Sequence, residues 1–145
     1  MSDLSAKRVI NGTFGKVWLE SEFVAECYKC QVKESYTREN VPMCGSLRDG
    51  KKLTKVEGTG SIGLYKVNSR MARLIADQIR AGHDPKFTIM SKLDDPDAYG
   101  AERVSLTGVA FNDLTIADWE AGVLGKVECP FTYEDHEFID YIPEV

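Results

Sequence analysis

A chain of 145 residues with 43% hydrophobic and 28% charged side chains has the balance of one folded domain, which excludes a disordered or fibrous polymer. Its formal net charge of −5 argues against a nucleic-acid-binding module, because phosphate binding needs a basic surface. No run approaches the roughly twenty apolar residues of a membrane-spanning helix, and the polar start Met1–Arg8 lacks the apolar stretch of a secretory signal. Synthesis in a reducing cytosol is therefore expected, with no stable membrane association.

In chain order, Asn11-Gly12 signals a turn, and Gly15–Leu19 follows as a first strand. Glu22–Tyr36 reads as one long strand, in which Val24, Tyr28, Cys30, Val32 and Tyr36 alternate with Lys29, Gln31, Lys33 and Ser35. Thr37–Lys51 is polar and contains glycine and proline, so it reads as a long inter-strand loop, mobile in a free subunit. Lys52–Lys66 forms the next strand. It carries Gly58, Gly60 and Gly63, which weaken a strand unless it bends or another group comes close. The spacing of Met71, Leu74, Ile75 and Ile79 predicts an amphipathic helix over Arg70–Ala81. Asn68 or Ser69 would cap its start and Gly82 its end. Strands Lys86–Leu93, Arg103–Phe111 and Val123–Tyr133 follow, with a turn-rich loop over Asp94–Gly100. Residues 134–145 form an acidic, aromatic tail. The whole chain, 1–145, reads as a single mainly-β domain, a β-sandwich or open barrel with one packed α-helix.

Catalytic and metal chemistry find little footing. Cys27-Tyr28-Lys29-Cys30 has zinc-ligand spacing, but no second such pair exists among Cys44, Cys129, His83 and His136. In a regular strand, residues three apart point to opposite faces, so Cys27 and Cys30 would not share an ion. The cysteines read as buried free thiols, and no catalytic residue, metal or cofactor is expected. His136 lies in the acidic run Glu134–Glu137, and Asp94-Asp95 precede Pro96 in a turn. Trp18 and Trp119 have the character of core or interface aromatics.

A series of short motifs resembles the tail tube proteins of contractile phage tails and phage-tail-like particles. It runs from Asn11-Gly12 and Gly15-Lys16-Val17-Trp18-Leu19 through Gly58-Thr59-Gly60 to Tyr65-Lys66-Val67-Asn68-Ser69. It continues through Gly82-His83-Asp84-Pro85-Lys86-Phe87-Thr88, Leu93-Asp94-Asp95 and Glu102-Arg103-Val104-Ser105-Leu106 to Pro130-Phe131-Thr132-Tyr133-Glu134-Asp135. The resemblance implies a structural subunit, not an enzyme. Such subunits form hexameric rings that stack into a hollow tube, for DNA passage or membrane puncture. The partners it implies are further copies of the chain and the sheath, baseplate and tape-measure proteins. DNA would pass through the lumen without specific binding. The destination is a virion tail or a tail-like particle. The alternatives are a ring protein like those of type VI secretion and a small β-sandwich module that binds a ligand.

Within this reading the long loop offers Asn40, Met43, Arg48, Asp49 and Lys51 as contacts between subunits or rings. The alternation offers Lys29, Gln31 and Lys33, with Lys55, Glu57 and Thr59, as lumen-facing residues. The family expectation is an acidic wall, whereas these strand faces are rich in lysine.

Overall fold

The computed structural model describes residues 4–144. Its strands are β1 (Gly15–Leu19), β2 (Glu22–Phe23), β3 (Cys27–Val41), β4 (Gly50–Tyr65), β5 (Phe87–Leu93), β6 (Glu102–Phe111), β7 (Lys126–Tyr133) and β8 (Asp135–Asp140), with one helix, α1 (Arg70–Arg80), between β4 and β5. All pairings are antiparallel, in the order β2-β1-β5-β6-β7-β4-β3, with β8 added on β6. The fold is mainly β with one packed helix, as the sequence predicts.

The sheet turns its corner at β6. Arg103–Thr107 pairs with β8, whereas Ala110 and Phe111 pair with β7. Between them the ladder with β5 slips, from Leu106 opposite Ile89 to Val109 opposite Phe87. Gly108 sits in this slip with φ +65, a conformation that side-chain-bearing residues disfavour. The two halves of the sheet fold over a core that includes Leu19, Ile62, Ile89, Leu106, Val109 and Phe131, with Met71 and Ile75 of α1 packed into it.

Helix α1 is bounded as its chemistry requires. The Asn68 side chain accepts a hydrogen bond from the Arg70 N–H at 3.0 Å. At the other end, Gly82 at φ +88 lets the N–H groups of Gly82 and His83 return to the carbonyls of Ile79 and Gln78. Met71 and Ile75 are buried and Leu74 packs against the core, but Ile79 is exposed. The buried face is thus shorter than the periodicity suggests.

Three expectations change. The strand expected over Glu22–Tyr36 is interrupted: Val24, Ala25 and Glu26 turn the chain from β2 into β3. The loop expected over Thr37–Lys51 is largely strand. The β3–β4 ladder continues to Val41 opposite Gly50, leaving residues 42–49 as the connection. Its outer rungs are exposed on both faces and mix polar with apolar residues, as in Glu39 opposite Lys52 and Arg38 opposite Leu53, so no regular apolar alternation marks them as strand. The tail contains β8, which pairs with β6 and places His136 and Phe138 half-buried.

The glycines of β4 answer to close approach. Gly60 lies opposite Phe131 and Gly58 opposite Tyr133. A methyl group at Gly60 would meet Phe131 Cζ at 2.6 Å and the Gln31 carbonyl at 2.5 Å, and one at Gly58 would press on the Tyr133 ring at Cε2 and Cζ. The Tyr133 hydroxyl reaches across β4 to donate to the Lys33 carbonyl at 2.9 Å. Three strands are locked together over two positions that have no side chain.

Candidate assembly surfaces

One face of the β3–β4–β7 layer is polar. Gln31 stands opposite Ser61, Lys33 opposite Thr59 and Ser35 opposite Glu57, while Ser61 and Thr59 face Pro130 and Thr132 of β7. Lys29, Gln31, Lys33, Lys55, Glu57 and Thr59 therefore share one continuous surface, contributed by two adjacent strands. The sequence groups each strand's residues but does not join them; the ladder does. It also adds Glu128, which sequence reasoning missed, although Lys126, Glu128 and Thr132 alternate with Val127, Cys129 and Phe131. Glu128 pairs with Lys29 at 3.6 Å, and Lys55 pairs with Glu57 at 2.6 Å. Two of the three lysines named for this face, Lys29 and Lys55, thus have a carboxylate within reach. Such exposed pairs add little to stability, but they neutralise a surface locally.

Asn40, Met43, Arg48, Asp49 and Lys51 all lie on the exposed outer part of the β3–β4 hairpin. Asn40 and Lys51 are ladder partners, with the lysine donating to the Asn40 side chain at 2.6 Å. The connection has a defined geometry. Ser46 N–H returns to the Met43 carbonyl across a turn with Gly45 at φ +76, and Arg48 N–H bonds the Ser46 hydroxyl at 3.1 Å.

β3 lies at the end of the strand order, and its outer side carries no ladder among the described residues. Between β3 and the β1–β5 half lies an open cleft of about 1010 Å³. His136 Nδ1 and Glu34 Oε2, 3.2 Å apart, bridge it from β8 to β3.

The cysteines need a correction. Cys27 is opposite Leu64 and Lys29 opposite Gly63, so Tyr28 is an extra residue in β3. This bulge reverses the alternation, and Cys27 and Cys30 lie on the same face, opposite Leu64 and Ile62. The opposite-face argument against a shared ion therefore fails. Among the described residues, no group of three or more His, Cys, Asp or Glu side chains is placed to hold a metal. Of the four thiols expected to be buried only Cys129 is; Cys27 is half-buried, Cys44 is exposed, and Cys30 opens onto the cleft with protein crowding its sulfur. Burial, then the neighbouring Cys27, pushes its thiol up to about 11, and burial, then Cys27, does the same to Cys129. Thiols held protonated in this way are poor nucleophiles at neutral pH. Asp95 is taken up structurally: its carboxylate accepts from the N–H groups of Asn11 and Asp97, both at 2.9 Å.

A curved antiparallel sheet, a long projecting hairpin and an unpaired terminal strand define a protein built to join others. A family model described as phage tail tube protein matches residues 2–140, and the chain belongs to that family. It is 34% identical over 137 residues, 92% of each chain, to the phage-like element PBSX protein XkdM of Bacillus subtilis strain 168. In fold it is similar to a chain in the sheath–tube complex of an extracellular contractile injection system in its extended state. That match has a TM-score of 0.68 and 11% identity, covering 94% of this chain and 98% of that one. It is also similar to a chain in the six-fold symmetrised baseplate of the anti-feeding prophage, with a TM-score of 0.65 and 10% identity, covering 86% of this chain and 90% of that one. The protein is a structural subunit of a tail tube. No described helix is long and apolar enough to cross a membrane.

Proposed function

We propose that six copies of this chain close into a ring and that rings stack head to tail into a hollow tube, nucleated on a baseplate and enclosed by sheath, with a tape-measure protein inside. The observation that carries this reading is the free outer side of β3. A strand spanning Cys27–Val41 with unpaired backbone groups along one side is a hazard in a monomer, and a closed ring of strands removes it. Heterologous contacts that close give rings, and those that do not close give open stacks.

In this arrangement the polar face of β3, β4 and β7 lines the lumen, with Lys29, Gln31, Lys33, Lys55, Glu57 and Thr59 on the wall. The wall is mixed in sign, not acidic. The Lys29–Glu128 and Lys55–Glu57 pairs support a surface along which a duplex slides without being held. Six copies of a chain of charge −5 carry about −30 per ring, which further opposes tight binding. The subunit is made in the bacterial cytoplasm, catalyses no reaction, needs no cofactor and does not insert stably into a membrane.

The experiment is negative-stain microscopy of concentrated protein, with and without purified baseplates as seeds. Hexameric rings or hollow tubes are expected. A strict monomer under every condition, seeded included, contradicts the reading. A gel-shift titration with duplex DNA at physiological salt should show no appreciable binding; tight, salt-sensitive binding would identify a basic lumen instead.

A further inference from the structure

The β3–β4 hairpin and the connection between β6 and β7 sit at opposite ends of one long strand. β4 runs from Gly50, beside the hairpin tip, to Tyr65. Just beyond Tyr65, the Lys66 N–H bonds the Gly125 carbonyl at 2.8 Å, tying the end of the β6–β7 connection there. An extended strand of this length spans roughly 50 Å at ~3.3 Å per residue.

Both ends expose apolar side chains. β7 stops pairing with β4 at Gly58, so the hairpin from Ser35 to Glu57 continues as a two-stranded ribbon. Such a ribbon is marginal in water by itself. It nonetheless presents Tyr36, Val56 and Leu53 to solvent, and Leu47 at its tip is fully exposed. At the other end, Ile116, Trp119, Val123 and Leu124 are exposed on residues 112–125, with Trp119 at 85%. Apolar clusters of this kind mark contact surfaces.

The charges are complementary. From Ser35 to Glu57 the hairpin carries Arg38, Arg48, Lys51, Lys52 and Lys55 against Glu39, Asp49 and Glu57, a net positive balance. The connection carries Asp113, Asp118 and Glu120, and no Lys or Arg falls between Phe111 and Gly125. A basic apolar projection and an acidic apolar seat at opposite ends of the molecule suit a head-to-tail contact between identical chains, which repeats without closing.

We propose that the segment 112–125 of one copy is the seat for the β3–β4 hairpin of the next copy along the tube, with Leu47 and Trp119 as the apolar anchors. This proposal rests on the tube reading above and specifies the contact that stacks its rings.

Cys44, exposed in the hairpin tip, is a native probe for the contact. In a Cys30→Ser background, Ala117→Cys places a second thiol on the seat without removing a proposed anchor. Seeded tubes treated with a short bismaleimide should then give a ladder of covalent multimers on a denaturing gel. The ladder should vanish with Cys44→Ser and be absent from dilute monomer. In parallel, Arg48→Glu should raise the protein concentration needed for tube growth roughly tenfold, the equivalent of ~1.4 kcal/mol, and Asp118→Arg in the same chain should restore growth. Tubes that form but give no ladder, or a second substitution that worsens the first, overturn this contact and leave the tube reading standing. Failure to form rings or tubes with any seed overturns both.

Discussion

The two halves of β4 belong to one strand and live under different rules. From Gly58 to Tyr65 it lies between β3 and β7, and Ile62 and Leu64 are buried. From Gly50 to Glu57 it pairs with β3 alone, and Leu53 and Val56 are exposed. The inner half is fixed by close packing within the chain. The outer half has the same ladder but lacks the second neighbour that would bury its apolar residues. Strand pairing and strand burial are therefore separable, and the unburied half is the proposed place for another chain.

Substitutions can break this contrast. The largest effect is expected at Gly60. Gly60→Val drives a side chain into Phe131 and the β3 backbone, and should cost about 3 kcal/mol or prevent folding. Gly50→Val makes a useful control, because a Cβ there meets nothing closer than Met43 Sδ at 3.6 Å. Thermal melts of the free subunit compare the two, and equal losses would mean that the halves are packed alike. A smaller loss, about 1 kcal/mol, is expected for Tyr133→Phe, which removes the hydrogen bond from β7 to the Lys33 carbonyl. Denaturant titration measures it. The smallest effect on the subunit is expected for Leu53→Ser, within about 0.5 kcal/mol of the parent chain, because the side chain is already exposed. The same substitution should nevertheless impair tube growth measured by light scattering. Unchanged growth would remove Leu53 from the contact.

The sequence makes the inner half legible and the outer half obscure, for physical reasons. Alternation over Lys29–Ser35 reflects one wet and one partly covered face, and the spacing of Met71 and Ile75 a buried one, so strand and helix can be read directly. The glycines of β4 announce a close approach, though not that Phe131 and Tyr133 make it. The outer hairpin is wet on both faces and carries no period, so it resembles a loop. β8 escapes notice because its pairing with β6 is long-range and its acidic residues hide the alternation of His136 and Phe138. The bulge at Tyr28 has no residue signal, yet it reverses the relation of Cys27 to Cys30. Asn40, Met43, Arg48, Asp49 and Lys51 could be proposed as contacts from segment length and polarity alone. Their proposed seat could not, because an exposed Trp119 cannot be told from a core tryptophan by its identity.

Amide hydrogen exchange along β4, measured in the free subunit and in assembled tubes, tests most directly whether the outer hairpin is completed by a neighbouring chain. Residues 50–57, with their partners in 35–41, should exchange quickly in the subunit and slowly in the tube, while residues 58–65 stay protected in both. Equal protection of residues 50–57 in the two states would contradict the account.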